Sequence, residues 1–459
     1  MPKVRENAST CLFANKVNKF LWQFPDLTYQ GAGVWCLVCE KTLLSWNRQL
    51  CRKHIQSATH KFKKTGKKPY NEYLCDLIVM LSACNVPVEK IGQDIFRKFW
   101  KKYNPTWKLP SPNTLRNNLA LVRKKIVNYV KSAVKNEKLW LTMDQTTDTK
   151  KNSIVSILVR VLSSTGPSHP YLLVCKRLQK CTSEAVYNVL TRTLENFDIL
   201  PEQVIIMITD GVEIMLRTGL LFKAIQPKLL HITCLLHALH LVEDTIRESY
   251  SDVDQLIGRI KLFHSRYPGI PKPSHPPISW LETAFYYFKY FERIKSVILK
   301  LDAKEVAAIK LSQMQNPQIG ADLQTIHDNY IRVGEAIKKL QDTSLSLQES
   351  CEIVDDVETS LHVLDDEKGV SVREKFYAVL SENVDFTRLR QLFDSSVEEN
   401  PLSELKDCLN YAIFTTLDVE RSFSAYKQIY TPKRTNLKET TVETYVMLHM
   451  FCQAHPGLL

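Results

Sequence analysis

At 459 residues the chain is too long for one simple core, and about three domains are expected. Its 44% hydrophobic and 24% charged residues suit a folded globular protein. No run of ~18 apolar residues is present to span a bilayer, and MPKVRENAST offers no apolar stretch for a secretory signal. The net charge of +12 is concentrated: residues 1–138 carry 26 Lys and Arg against 8 Asp and Glu, net +18, and the remainder 35 against 41, net −6. That asymmetry points to a polyanion-binding N-terminal third and a different task for the rest. Cysteines beyond the first pair are scattered without a disulfide framework, which fits a reducing compartment.

The first element is a metal-ligand pattern. Cys36 and Cys39 form C-x2-C; after 14 residues His54 and His60 form H-x5-H. Zn2+ takes four sulfur or nitrogen ligands in a tetrahedron: a C-x2-C knuckle supplies two thiolates, and a following helix is expected to supply two imidazoles. Trp35 and Trp46 are expected to build the small core of this module, residues 10–64. Arg48, Arg52, Lys53, Lys61, Lys63 and Lys64 give it a basic flank suited to double-stranded DNA. Lys63 to Tyr70, KKTGKKPY, reads as a linker and a basic nuclear-import pattern.

Residues 65–137 read as basic helices. Leu74, Leu77, Ile78 and Leu81 recur at helical spacing. NVPVEKIGQDIFRKFWKKYNP reads as a loop and an amphipathic helix stopped near Pro105, and a further helix is expected after Pro112 with Asn113 as its N-cap. Such helices serve either to sit on DNA or to pack as a bundle.

At Lys138 the period becomes strand-like. LWLTMD (139–144), SIVSILVRVL (153–162) and PYLLVCKRL read as strands, Ser183 to Phe197 as a helix with Ser183 at the N-cap, and VIIMITD (204–210) as a strand buried on both faces. The fold class expected is α/β plus α. Asp144 and Asp210 close the first and last of these strands. Carboxylates at neighbouring strand ends either hold Mg2+ or Mn2+ or simply form turns. From Leu220 to Met450 the pattern is mostly helical, broken by GIPKPSHPPI (269–278). Within HITCLLHALHLV, Cys234 and His237 stand i, i+3 on one helix face, where packing and hydrogen bonding are the expected roles, two ligands being too few for a metal site.

Three stretches carry a family resemblance. LWLTMDQTTD, IIMITDGVEIM with LLHITCLLHALHLV, and TTLDVERSFSAYKQIYTPKRTNL resemble the first-aspartate, second-aspartate plus C-x2-H, and C-terminal dimerisation segments of the hAT superfamily of DNA transposases. The Cys36-Cys39-His54-His60 pattern matches the BED-type finger fused to such enzymes. The helices around NVPVEKIGQDIFRKFWKKYNPTWKLP are similar to those of the CGG-triplet-repeat-binding protein, a domesticated relative. The resemblance implies a ribonuclease-H-like mixed sheet split as 138–245 and 401–459 around a helical insertion, 246–400. It implies Asp144, Asp210 and Glu420 as a metal-binding catalytic triad, with Arg421 as a structural partner or phosphate contact, and it implies a nuclear homodimer. The apolar helix near Val442 to Phe451 is expected to serve that dimer.

The chain departs from the family at two points. Many family members carry an Arg-Trp pair soon after the C-x2-H helix, where the tryptophan can stack on a flipped base. PPISWLETAFYYF holds Trp280 without a preceding arginine, and the span from Asp210 to Glu420 is short. Two expectations therefore stand side by side: an active transposase, and a domesticated DNA-binding regulator that no longer cuts.

Overall fold

The computed structural model describes residues 21, 23–30, 33–43, 47–65, 70–105, 108–263, 269–300, 316–391, 405–431, 434 and 437–455. Trp46, Lys67 and Lys68 fall outside them. The chain divides into two compact units, residues 1–122 and 123–458.

The first unit begins with a three-stranded antiparallel sheet, β1 (Leu27–Gln30), β2 (Gly33–Cys36) and β3 (Lys41–Leu43). Alternation along β2 turns Val34 and Cys36 inward and leaves Trp35 half-buried, so the small core is Leu21, Phe24, Leu27, Val34 and Cys51 rather than Trp35. Helices α1 (Arg48–Gln56) and α2 (Ala58–Thr65) follow, separated at Ser57, which has extended backbone. Beyond them lie α3 (Tyr70–Ala83), α4 (Asp94–Tyr103) and the first part of α5 (Pro112–Val134). Leu74, Leu77, Ile78 and Leu81 are buried, as their spacing requires. At the start of α5 the Ser111 hydroxyl accepts the Thr114 N–H (3.1 Å), so the cap is Ser111. Asn113 is inside the helix, because Pro112 occupies the first turn, where its missing N–H is harmless.

The second unit is mixed α/β. Its sheet contains β4 (Leu139–Thr147), β5 (Ser153–Val161), β6 (Tyr171–Leu178), β7 (Val204–Thr209) and β8 (Leu230–Thr233), in spatial order β6-β5-β4-β7-β8. β5 runs antiparallel to both β4 and β6, whereas β4, β7 and β8 are parallel. From Leu139 to Asp144 every residue of β4 is buried, as expected of a central strand covered on both faces. α6 (Ser183–Asn196) and α7 (Glu213–Lys223) pack together against the sheet. α8 (Leu235–Ser249), α16 (Leu417–Ile429) and α17 (Glu439–Ala454) also pack on the unit's core and sheet.

Between α8 and α16 stand α9 (Ser251–Phe263), α10 (Trp280–Ile298), α11 (Pro317–Lys339), α12 (Leu347–His362), α13 (Glu367–Ser381), α14 (Val384–Arg390) and the single turn α15 (Lys406–Leu409). Their core is continuous with that of the sheet, running from Trp140, Ile206 and Ile232 through Tyr287 and Tyr330 to Phe376 and Phe414.

Several sequence expectations change. The cap of α6 is Thr182, whose hydroxyl accepts from Ala185 N–H; Ser183 is the first helical residue. β4 continues to Thr147, so Asp144 lies within the strand rather than at its end. β7 is not the last strand: Leu230 to Thr233, read as helical, forms β8. Four residues put only two side chains on each face, too few to display alternation. Cys234 accordingly caps α8 instead of lying on its face. The apolar residues of α17, Val442, Val446, Leu448 and Phe451 among them, are buried within the chain, so their hydrophobicity is accounted for without a second copy.

Candidate metal centre and carboxylate site

In the finger, Cys36 ends β2 and a tight turn returns the chain through Cys39. Glu40 N–H donates to Cys36 O (2.9 Å) and adopts φ +52°, closing the knuckle. His54 lies in the last turn of α1 and His60 in α2. On one straight helix, six residues at about 100° each would aim the two rings to different sides; the break at Ser57 turns them toward each other, ring centroids 5.0 Å apart. The ligand atoms of Cys36, Cys39, His54 and His60 all lie within 4.8 Å of one another. Among the described residues this is the one set of three or more such side chains that converges so closely.

The donor set fits Zn2+. His60 Nδ1 faces both sulfurs, 3.3 Å from Cys36 Sγ and 3.5 Å from Cys39 Sγ. His54 Nε2 is buried with no hydrogen-bond partner in the protein, the condition of an atom that a metal would satisfy. Burial, followed by the neighbouring His60 and Lys41, lowers the His54 pKa and favours the neutral ring that a ligand must be. The other nitrogen of His60, Nε2, meets Asp26 Oδ2 at 3.0 Å, and Lys64 Nζ meets the same carboxylate at 2.6 Å. Burial works against the Asp26 charge, yet Lys64 and His60 hold its pKa below the ordinary range. Asp26 lies 34 positions from His60 in the chain and had no signal in the sequence. Lys63 Nζ donates to Cys39 O (3.3 Å) and Arg48 to Gln23 Oε1 (2.6 Å), so both share their expected DNA-facing role with contacts inside the finger. Arg52, Lys53 and Lys61 are exposed on α1 and α2.

The second constellation is built by strand register. Thr142 of β4 pairs with Ile208 of the parallel β7, so two residues further on Asp144 stands beside Asp210. Both are buried. Asp144 Oδ1 accepts the Gln145 N–H (2.6 Å), whereas Asp210 Oδ1 is buried without a hydrogen-bond partner. Burial pushes the Asp144 carboxyl up to about 8, and the charge of Asp210 adds to it; burial raises Asp210 as well. Two carboxyls in this state share a proton or take a cation.

The C-terminal segment is stitched to this place. Cys234 N–H donates to Thr209 O (2.8 Å), and Leu235 N–H to Phe414 O (2.9 Å). Thr416, immediately before α16, sends its N–H to Cys234 Sγ (3.3 Å), and its hydroxyl lies 3.3 Å from His237 Nδ1. Glu420 follows in the first turn, its N–H on Thr416 O (3.1 Å). His237 is pushed up to about 9 by its hydrogen bond with Cys234 and then by the charges of Asp144 and Glu420. One imidazole thus feels both a sheet carboxylate and the helix carboxylate. Thr416 joins the two halves of the site, a role with no sequence signal beyond its place in TTLDVERSF.

Arg421 pairs with Asp418 (2.8 Å), and Asp418 accepts from the buried Arg160 of β5 at its Nε (2.8 Å). Trp280 opens α10, its indole N–H donating to Asp254 Oδ1 (2.8 Å) and its ring packed against the helical core. Its hydrogen bond therefore holds it to α9, not to a carboxylate of the sheet. Cys181, also not anticipated, donates to Gln145 Oε1 (2.7 Å) beside the aspartates.

Compared with known proteins, the chain matches no family model and no curated protein. Among the described residues no helix is long and apolar enough to cross a membrane.

Proposed function

We propose that this chain is an hAT-like, transposase-type DNA-binding protein with a metal-dependent phosphodiester site. The observation that carries the reading is the parallel pairing of β4 with β7, which sets Asp144 beside Asp210 with the segment bearing Glu420 stitched alongside. In chain order the strands lie 3-2-1-4-5 with only the second antiparallel, an arrangement in keeping with a ribonuclease-H-like core.

Asp144, Asp210 and Glu420 would hold Mg2+ or Mn2+, which when bound supplies an activated water and neutralises charge on a phosphate. The orphaned Asp210 oxygen and the raised pKa values of the two aspartates suit that cation. His237 holds a proton beside the carboxylates, and Thr416 orients its ring. The zinc finger and the basic helices would hold double-stranded DNA, with an affinity that falls steeply with salt, in a nuclear protein acting as a homodimer.

The test is nicking of supercoiled plasmid carrying the DNA that flanks the gene, with Mg2+ or Mn2+. Wild type is expected to nick and Glu420→Gln to bind without nicking; nicking that persists in Glu420→Gln removes the assigned role.

A second reading, a DNA-binding regulator on a retired catalytic scaffold, is favoured by two observations. The ligand atoms of Asp144, Asp210 and Glu420 do not converge as closely as those of the finger. Trp280 is bound to Asp254. Binding without nicking by wild type is its expected result.

A further inference from the structure

β4 does not stop at the carboxylate. Three residues past Asp144 it ends at Thr147 and turns through residues 148–152 into β5. At a rise of ~3.3 Å per residue, this turn stands about 10 Å from Asp144, close to three nucleotides measured along a duplex axis. The turn is rigidly built. Asp148 is buried, and its carboxylate accepts from Lys150 N–H (2.8 Å), Asn152 N–H (2.8 Å) and Asn152 Nδ2 (2.9 Å). Lys151 takes φ +62°, a left-handed conformation that an L residue adopts only when its surroundings impose it. The acid of the turn is thus consumed by the backbone, while Lys150 and Lys151 are exposed.

More cations gather at the same end of the sheet. Ile154, just inside β5, pairs with Arg177 of β6. The Arg177 guanidinium lies 5.0 Å from the Tyr430 ring centre and Lys150 Nζ 5.7 Å from it, so one aromatic ring holds two cations. Lys180 is exposed next to Cys181, whose thiol reaches Gln145 beside Asp144. Lys150, Lys151 and Lys180 have no carboxylate ion pair among the described residues.

We propose that Lys150, Lys151 and Lys180, with Arg177 behind them, form a second DNA contact, separate from the finger. It takes the phosphodiester backbone on the β5–β6 side of the carboxylate pair, without reading sequence. The ligand is identified by charge. The finger unit is strongly basic, whereas the second unit is close to neutral, and here it places exposed cations on a fixed turn near its carboxylates. This inference rests on the proposed phosphodiester site, which it supplies with a path for the strand.

The test uses the full chain and a fluorescein-labelled duplex, with anisotropy followed between about 50 and 200 mM salt. Three proteins are compared: wild type, the triple variant Lys150→Glu, Lys151→Glu, Lys180→Glu, and Cys39→Ser. A triple Lys→Gln variant and circular dichroism guard against misfolding. Each lost phosphate contact flattens the plot of log affinity against log salt by about 0.9, so the triple variants should show a slope shallower by about 2 to 3, and Cys39→Ser should keep that component. Triple variants with wild-type slope and affinity, alongside a Cys39→Ser variant that loses binding, would overturn the second contact and leave the finger reading intact. Binding lost in the triple variants but unchanged in Cys39→Ser would support the contact and overturn the finger as reader. A wild type that binds no duplex would overturn both.

Discussion

The His60 ring is used at both edges: Nδ1 faces the two sulfurs while Nε2 meets Asp26. A carboxylate behind a ligating imidazole fixes its tautomer and raises its basicity, and losing it typically costs 10–100-fold in metal affinity. Asp26→Asn should therefore weaken zinc binding by about that factor in a chelator competition while preserving the tetrahedral Co2+ absorption spectrum; an unchanged competition curve would show that Asp26 serves only Lys64. Asp144 makes a prediction of opposite sign. Its pKa is about 8 in the fold against 3.8 as a free side chain, so the native state keeps a proton that the unfolded chain releases. Its contribution to stability accordingly declines as pH rises from about 4 to about 8. Asp144→Asn should be near neutral in urea denaturation at pH 4.5 and stabilising by roughly 1–3 kcal/mol at pH 8 without divalent metal. An equal gain at both values would mean that Asp144 is not the group holding the proton. The four converging Cys and His side chains were legible in the sequence because a metal site dictates residue type and spacing together. Asp26 and Thr416 were not, because each acts through a partner brought near only by folding.

Among elements, α16 carries most consequence, since it brings Glu420 to a sheet whose two aspartates, Asp144 and Asp210, lie more than 200 positions earlier. Its first turn is anchored by Asp418, whose carboxylate and the Arg160 guanidinium are each only 6% exposed. Arg160 also lies 5.4 Å from the Trp140 ring centre and donates to Ser168 O. Breaking a buried pair strands the remaining charge, typically at about 3–5 kcal/mol. Asp418→Ala should cost about that much in urea denaturation, whereas Arg421→Ala should cost under about 1 kcal/mol, because Arg421 is 51% exposed. Equal losses from the two substitutions would place the anchor elsewhere. The long strands of the sheet were legible because β4, β5 and β6 run for eight or nine residues and each contains a stretch of mostly apolar side chains. β8 was not, because four residues carry almost no period, and the apolar positions that follow it in α8 extend a helical pattern backward over it. Hydrophobicity alone does not separate a helix covered within its own chain, as the apolar residues of α17 are, from one waiting for a partner.

Across the whole molecule, the finger and the α/β unit are stabilised by different means. The second has a core reaching from Trp140 in the sheet to Phe386 in α14, ample to hold itself together. The finger has Leu21, Phe24, Leu27, Val34 and Cys51 around its ligands, and so little apolar area seldom folds without a metal or a disulfide. No disulfide is formed among the described residues, and Cys36 and Cys39 are free. Zinc binding and finger folding should therefore be one equilibrium. On treating the full chain with a zinc-selective chelator, the expected result is loss of the finger's calorimetric transition and of sequence-specific DNA binding. The transition of the second unit should stay in place, and Cys39→Ser should reproduce the effect without chelator. If both transitions moved together, the finger would be supporting the α/β unit. If neither moved, its four side chains would be held by packing alone and no metal would be needed for the fold.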